Sequence, residues 1–211
     1  MTMAYATTSL VTLMMLLAQS TAAVRINETA AYQACIAAPA TCTRMWLRAS
    51  QLTGTIPTQL GTLTSITHIE IHTNQLTGTL PTELGALTRM TRMSFFFNWL
   101  TGTVPTELGA LTRITHLGLG SLRLTGTVPT ELGALTSMSW IDLFTNKLTG
   151  TLPTELGALT RLTEMNIYVN QISGTVPTEL GALTGLKLML FSTNQLMGTL
   201  PTELAALTMI Q

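Results

Sequence analysis

Charge is the scarcest property of this chain. Ten Lys and Arg and ten Asp and Glu amount to 9% of 211 residues and cancel to a formal net charge of zero. That balance excludes a charged disordered tail and a nucleic-acid binder working through a basic face. Long apolar runs are also missing, although 46% of the residues are hydrophobic. The run at 10–18 is too short to cross a bilayer, which needs about 20 residues, and no later run reaches that length. No nucleophile stands beside a base, no acid is paired for general acid–base work, and no glycine-rich phosphate loop or metal-ligand spacing occurs, so the expectation is a non-catalytic protein without cofactor or metal. Cysteine is down to two residues, Cys35 and Cys42.

What is present near the start points outward from the cell. The apolar run at 10–18 is followed by Gln-Ser-Thr-Ala-Ala, small residues of the kind a signal peptidase cuts after, so residues 1–23 are expected to be a signal peptide cleaved after Ala22 or Ala23. An even cysteine pair just downstream reads as a disulfide rather than a metal site or nucleophile, closing a small loop for roughly 2–3 kcal/mol. Asn27-Glu28-Thr29 is the sole glycosylation sequon.

From Leu52 onward one phrase recurs every 24 residues: Leu-Thr-Gly-Thr-(Val/Leu/Ile)-Pro-Thr-(Glu/Gln)-Leu-(Gly/Ala)-(Ala/Thr)-Leu-Thr. Full copies begin at Leu52, Leu76, Leu100, Leu124, Leu148 and Ile172, and a partial seventh begins at Leu196. Within one copy Leu124, Val128, Leu132, Leu135, Met138, Ile141 and Leu143 are apolar, and the same slots are apolar in every full copy. One such set cannot be buried by a lone coil, so neighbours must stack into a continuous core. The stretch at 140–144 alternates with period two and predicts a short strand, which stacking turns into a parallel sheet. Asn74, Asn98, Asn146, Asn170 and Asn194 follow the strands as turn residues able to bond the backbone, and Leu122 is expected to break that ladder. Pro-Thr-Glu-Leu-Gly then opens a short helical turn.

Leu-x-x-Leu-x-Leu-x-x-Asn-x-Leu-x-Gly-x-(Ile/Val/Leu)-Pro-x-x-Leu-Gly resembles the plant-type extracellular leucine-rich repeat over about 43–210. Cys35 and Cys42 resemble the cysteine pair of that family's N-terminal cap, although no upstream leader helix with its tryptophan is legible. The resemblance implies an α/β right-handed solenoid with a concave parallel sheet, short 3₁₀ or irregular convex segments, and a ligand-binding role outside the cell. The expected organisation is a cap with the first strand at 24–51 and the array at 52–211.

The framework is almost identical between copies, whereas the outward strand positions vary. Three rows result: Arg44, His68, Arg92, His116, Trp140, Glu164, Leu188; Trp46, Glu70, Ser94, Gly118, Asp142, Asn166, Leu190; and Arg48, His72, Phe96, Gly120, Phe144, Tyr168, Ser192. All three histidines and five of the eleven aromatics lie there. Exposed aromatics and arginine are the composition of binding hot spots. The candidate ligand-binding set is therefore Arg44, Trp46, Arg48, His68, Glu70, His72, Arg92, Phe96, His116, Gly118, Gly120, Trp140, Asp142, Phe144, Glu164 and Tyr168. Phe96 and Phe144 should stand about 10 Å apart across the side-chain-free Gly120, a slot for one flat ring. His68 and His72 are about 13 Å apart along a strand, too far to share one zinc.

Two further ladders recur. Glu83, Glu107, Glu131, Glu155, Glu179 and Glu203 read as solvated framework, with Arg89, Arg113 and Arg161 as partial neutralisers. Thr-Gly-Thr in successive coils should present a regular hydroxyl and methyl surface, similar to the threonine arrays of ice-binding solenoids, although threonine is also simply a good exposed strand residue. The expected function is a secreted module recognising an extracellular protein, peptide or glycan on its concave face, with no nucleic acid partner and no membrane span in this chain. The alternatives are a structural or ice-binding solenoid, or a truncated receptor ectodomain. Leu188 and Leu190 in outward slots of the last strand suggest an end-on partner or missing repeats beyond the C-terminus.

Overall fold

A computed structural model describes residues 23–206. All but the last residue of the expected signal peptide, and the chain beyond 206, lie outside the described residues. One helix, α1 (Ala30–Ala37), precedes a seven-stranded parallel sheet built from β1 (Arg44–Trp46), β2 (His68–Glu70), β3 (Arg92–Ser94), β4 (His116–Gly118), β5 (Trp140–Asp142), β6 (Glu164–Asn166) and β8 (Leu188–Leu190). Each strand pairs with its counterpart one copy away, so His68 sits opposite Arg44 and Arg92, and Trp140 opposite His116 and Glu164. The repeat alone fixes this register, because identical coils stack letter on letter.

The seven apolar slots form the core as expected. Leu124, Val128, Leu132, Leu135, Met138, Ile141 and Leu143 are all buried, and the same cluster runs unbroken from Ile26 to Leu204. On the convex side every described Pro-Thr-(Glu/Gln)-Leu-(Gly/Ala) segment is a 3₁₀ turn, such as Thr82–Ala86, with the preceding proline extended at its N-terminus. These turns stack closely. A Cβ on Gly85 would lie 2.5 Å from the Glu107 carbonyl oxygen of the next coil, so only glycine permits the contact. The arginines expected to neutralise the glutamate ladder do not: among the described residues the ion pairs are Arg25 with Glu28 and Arg92 with Glu70. Each ladder glutamate instead accepts a long hydrogen bond from the threonine before it, as in Thr82 Oγ1 to Glu83 Oε2 at 3.4 Å.

Regular strands are three residues long, shorter than the five-residue alternation. The ladder continues past each strand, with Leu47 N–H donating to Glu70 O and Ala49 N–H to His72 O. It ends where Thr73, Phe97, Ser121, Thr145, Val169 and Thr193 adopt left-handed backbone, with φ between 49° and 58°. The asparagine that follows closes the turn. Asn74 Oδ1 accepts from Ser50 N–H and Leu52 N–H, while its amide donates to Leu47 O and Ile71 O. The ladder breaks where expected: Leu122 is buried in the slot, and Leu100 makes no bond of the kind that Leu76 N–H makes to Asn98.

The cap departs from expectation. A helix does precede the first strand: α1 is capped by Thr29, whose Oγ1 accepts from Tyr32 N–H, and it buries Tyr32 and Cys35. Cys35 on α1 and Cys42 form a disulfide. A second, minor parallel ladder, comprising β7 (Ser173–Gly174) with β9 (Gln195–Leu196) and isolated bridges at Arg25 with Thr53, Thr79 with Thr101 and Thr127 with Thr149, carries the Thr-Gly-Thr phrases. Gly78, at φ 79°, supplies the left-handed bend between Thr77 and Thr79.

Candidate functional site

The three outward rows converge on the sheet face, with β1 to β6 and the residues just past them supplying every candidate side chain. The rows are not evenly exposed. Trp46 and Tyr168 are open, His68, His72, His116, Phe96, Trp140 and Phe144 are half-buried, and Gly118, Gly120 and Asp142 are buried.

The slot expected over Gly120 is closed. Phe144 lies across Gly120, where an added Cβ would collide with its ring, and Asp142 Oδ1 would be 2.8 Å from the same atom. The ring that fills the gap is the protein's own. Phe144 then meets Phe97 edge to face with centroids 5.7 Å apart, Phe97 meets Phe96 edge to face at 5.3 Å, and Phe96 stacks on His72 at 4.4 Å. A continuous aromatic ridge replaces the slot.

An open recess lies instead one row over. A cavity of about 330 Å³ is walled by Phe96, Trp140, His72 and His116, with Glu70, Arg92 and Glu164 at its edge and Ser94 and Met93 below. Gly118 makes room for it: a Cβ there would sit 3.0 Å from Phe96 Cδ1, 3.2 Å from Trp140 Cζ3 and 3.3 Å from Ser94 Oγ. Ser94 Oγ is buried and has no hydrogen-bond partner, so a donor–acceptor hydroxyl waits beneath the recess. Ser94 lies in the second outward row but outside the candidate ligand-binding set. Arg44, Trp46 and Arg48 lie outside the recess, with Arg44 over the Trp46 ring at 5.7 Å.

Electrostatics divide the recess. Arg92 Nε lies 3.8 Å from Glu70 Oε1, a partly exposed pair of little net strength. The histidines carry a further feature that the sequence does not display. Thr67 donates its single hydroxyl proton to Thr43 O, so at 2.8 Å it must accept from His68 Nδ1. Thr115 does the same between Thr91 O and His116 Nδ1. Both rings are therefore held in the Nδ1–H tautomer with Nε2 left as an acceptor. Burial lowers the pKa of His68, His72 and His116, reinforced by Arg44 and Arg92 at His68 and by Arg92 at His116, while Glu70 or Glu164 opposes. Asp142 moves the other way. Burial raises its carboxyl to about 6, against the bonds it accepts from Phe144 N–H and the Asn166 amide. Among the described residues no three His, Cys, Asp or Glu side chains cluster as metal ligands, and no helix is long and apolar enough to cross a membrane.

Among solved structures the chain is similar to the plant peptide hormone receptor RGFR1 in complex with RGF2, at 36% identity and a TM-score of 0.74 over 76% of this chain and 27% of the receptor. The TDR receptor matches at 32% identity and a TM-score of 0.72 over 75% of this chain and 28% of that one. The chain has the leucine-rich repeat fold of these plant receptor ectodomains. It spans just over a quarter of the length of these receptors, whose leucine-rich repeat ectodomains are a ligand-binding, non-catalytic fold. A plant ice-binding protein is also similar, at 27% identity and a TM-score of 0.66 over 73% of this leucine-rich repeat chain and 50% of that protein. No family model and no curated protein sequence matches.

Proposed function

We propose that this leucine-rich repeat chain is a secreted, non-catalytic recognition module whose concave recess holds part of an extracellular protein, peptide or glycan. The observation that carries the reading is the recess itself: two aromatic walls, one buried unpartnered hydroxyl, and the His116 acceptor around a single cavity. Aromatic walls supply apolar contact at low entropy cost, and fixed polar groups supply orientation. The Cys35–Cys42 disulfide, the exposed Asn27 and the expected signal peptide support an extracellular site of action.

Selection from a displayed peptide library on the wild-type chain, repeated on Trp140→Ala and Ser94→Val, tests the site. Clones that bind the wild type and lose retention on both variants are expected. Equal retention on all three proteins removes the recess from the function. N-terminal sequencing of exported protein should begin at Ala23 or Val24, and a chain that keeps its first 22 residues on export refutes the signal peptide.

One observation favours a second reading. The Thr-Gly-Thr face is exposed once per coil, and its first threonines lock their hydroxyls onto the neighbouring coil, as Thr101 Oγ1 does to Gly78 O at 3.1 Å. The second threonines turn a methyl against the next glycine, as Thr79 does toward Gly102. Oriented methyls and hydroxyls at coil spacing suit ice. Inhibition of ice recrystallisation that is lost in Thr127→Lys would establish this reading, and a flat negative in the wild type ends it.

A further inference from the structure

Beside the concave sheet, at the rim where each coil turns left-handed, one coil differs from all the others. Its left-handed residue is Phe97, where other coils carry Thr73, Ser121, Thr145, Val169 and Thr193. Two residues on it carries Trp99, where others carry Gln75, Arg123, Lys147, Gln171 and Gln195. Both rings are about half exposed, at 48% and 47%. An aromatic residue held at φ 56° is strained, and nothing in the coil's own packing requires it, because threonine serves the same turn in three other coils. Phe97 is nonetheless rigid, fixed edge to face by Phe96 and Phe144.

Two shallow recesses flank this ring. One, of about 280 Å³, lies between Phe97 and Trp99 and is bordered by Ser121, Leu122 and Arg123. The other, of about 340 Å³, lies on the far side of Phe97 against Thr73, Gln75 and Gln51. The Arg123 guanidinium stands 5.7 Å from the Trp99 ring centroid and has no carboxylate partner among the described residues. Both recesses lie near the roughly 300 Å³ where small-ligand pockets begin. Exposed aromatic rings bordered by hydroxyl, amide and guanidinium groups have the chemistry that holds a sugar. The C–H face of a pyranose lies on the ring, and its equatorial hydroxyls reach the polar groups at the edge.

We propose that the Phe97–Trp99 rim is a second binding site, separate from the concave recess, that takes pyranose rings of an oligosaccharide. The source can be a neutral glycan or an acidic one whose carboxylate meets Arg123, and two probes distinguish them: a neutral β-1,4-glucan hexasaccharide and an α-1,4-galacturonan hexasaccharide. Titration at millimolar concentration, followed by the indole N–H resonance that Trp99→Gln removes, should show saturable binding of at least one probe. Phe97→Thr and Trp99→Gln install residues that neighbouring coils already use, so both variants are expected to fold, and each should weaken binding about tenfold, measured by calorimetry. Arg123→Gln should weaken the galacturonan alone. Trp140→Ala, which opens the concave recess, should leave sugar binding unchanged. Absence of binding by both probes, or equal affinity in the Phe97 and Trp99 variants, overturns the rim site. Loss of binding in Trp140→Ala alone would move the sugar to the concave face, and this too overturns it.

Discussion

At the scale of single residues, Asp142 is the most consequential group on the concave face. Its folded pKa of about 6 lies above the unfolded 3.8, so the stability tied to its proton is fully present below about pH 3.8 and is lost as pH rises through 6. A shift of that size corresponds to about 3 kcal/mol at neutral pH. Asp142→Asn keeps an acceptor for Phe144 N–H but presents an amide to Asn166, so we expect a gain of about 1–2 kcal/mol at pH 7.5, vanishing at about pH 3.5, in urea denaturation at the two pH values. The histidines run oppositely: with lowered folded pKa values, they contribute stability above their unfolded value that is lost on acidification. Their tautomers are separately testable. Nitrogen chemical shifts at pH 8 should show His68 and His116 protonated at Nδ1, and Thr67→Val should release His68 alone. The identity and outward placement of these side chains were legible from period two. Their burial, and the closing of the slot over Gly120 by Phe144, were not, because a ring's lean depends on which neighbouring coil lacks a Cβ.

At the scale of the coil, two positions govern how elements meet. Glycine in the convex turn is demanded by the next coil, so Gly133→Ala, whose Cβ would sit 2.6 Å from Glu155 O, should cost about 1–3 kcal/mol and lower the melting temperature. The left-handed position before each asparagine is the reverse case, a site where the chain tolerates poor residues. Val169, β-branched at φ 56°, is the least suited of them, and Val169→Asn should stabilise by about 1 kcal/mol while keeping the bond from residue 169 N–H to Ser192 O. The asparagine slot was readable from the repeat, including its break at Leu122. The left-handed position was not, since Thr, Ser and Val give no signal for positive φ.

At the scale of the molecule, stacking makes the chain quasi-one-dimensional. Each coil touches its neighbours, and stability is a sum of coils and interfaces. The disulfide therefore acts locally. Its reduction should cost about 2–3 kcal/mol in the cap and speed amide exchange in α1 and β1, with β4 to β6 unchanged in native-state hydrogen exchange. Uniform acceleration along the array would show that the cap nucleates the whole solenoid. The two binding proposals also separate at this scale, because the concave recess and the Phe97–Trp99 rim use different walls of the same coils.

The sequence by itself determined the architecture. A strict 24-residue period with seven apolar slots admits one solution, a stack of identical coils, and that stack dictates the sheet order, the register and which residues face outward. What only the tertiary structure decided is which outward residues are open. Exposure on a stacked face is a property of three adjacent coils at once: Gly118 lets Phe96 and Trp140 frame a recess over Ser94, whereas Gly120 lets Phe144 fall flat and bury Asp142. Two glycines two residues apart, alike in the sequence, open one cavity and shut the other because their neighbours' rings have different room to move.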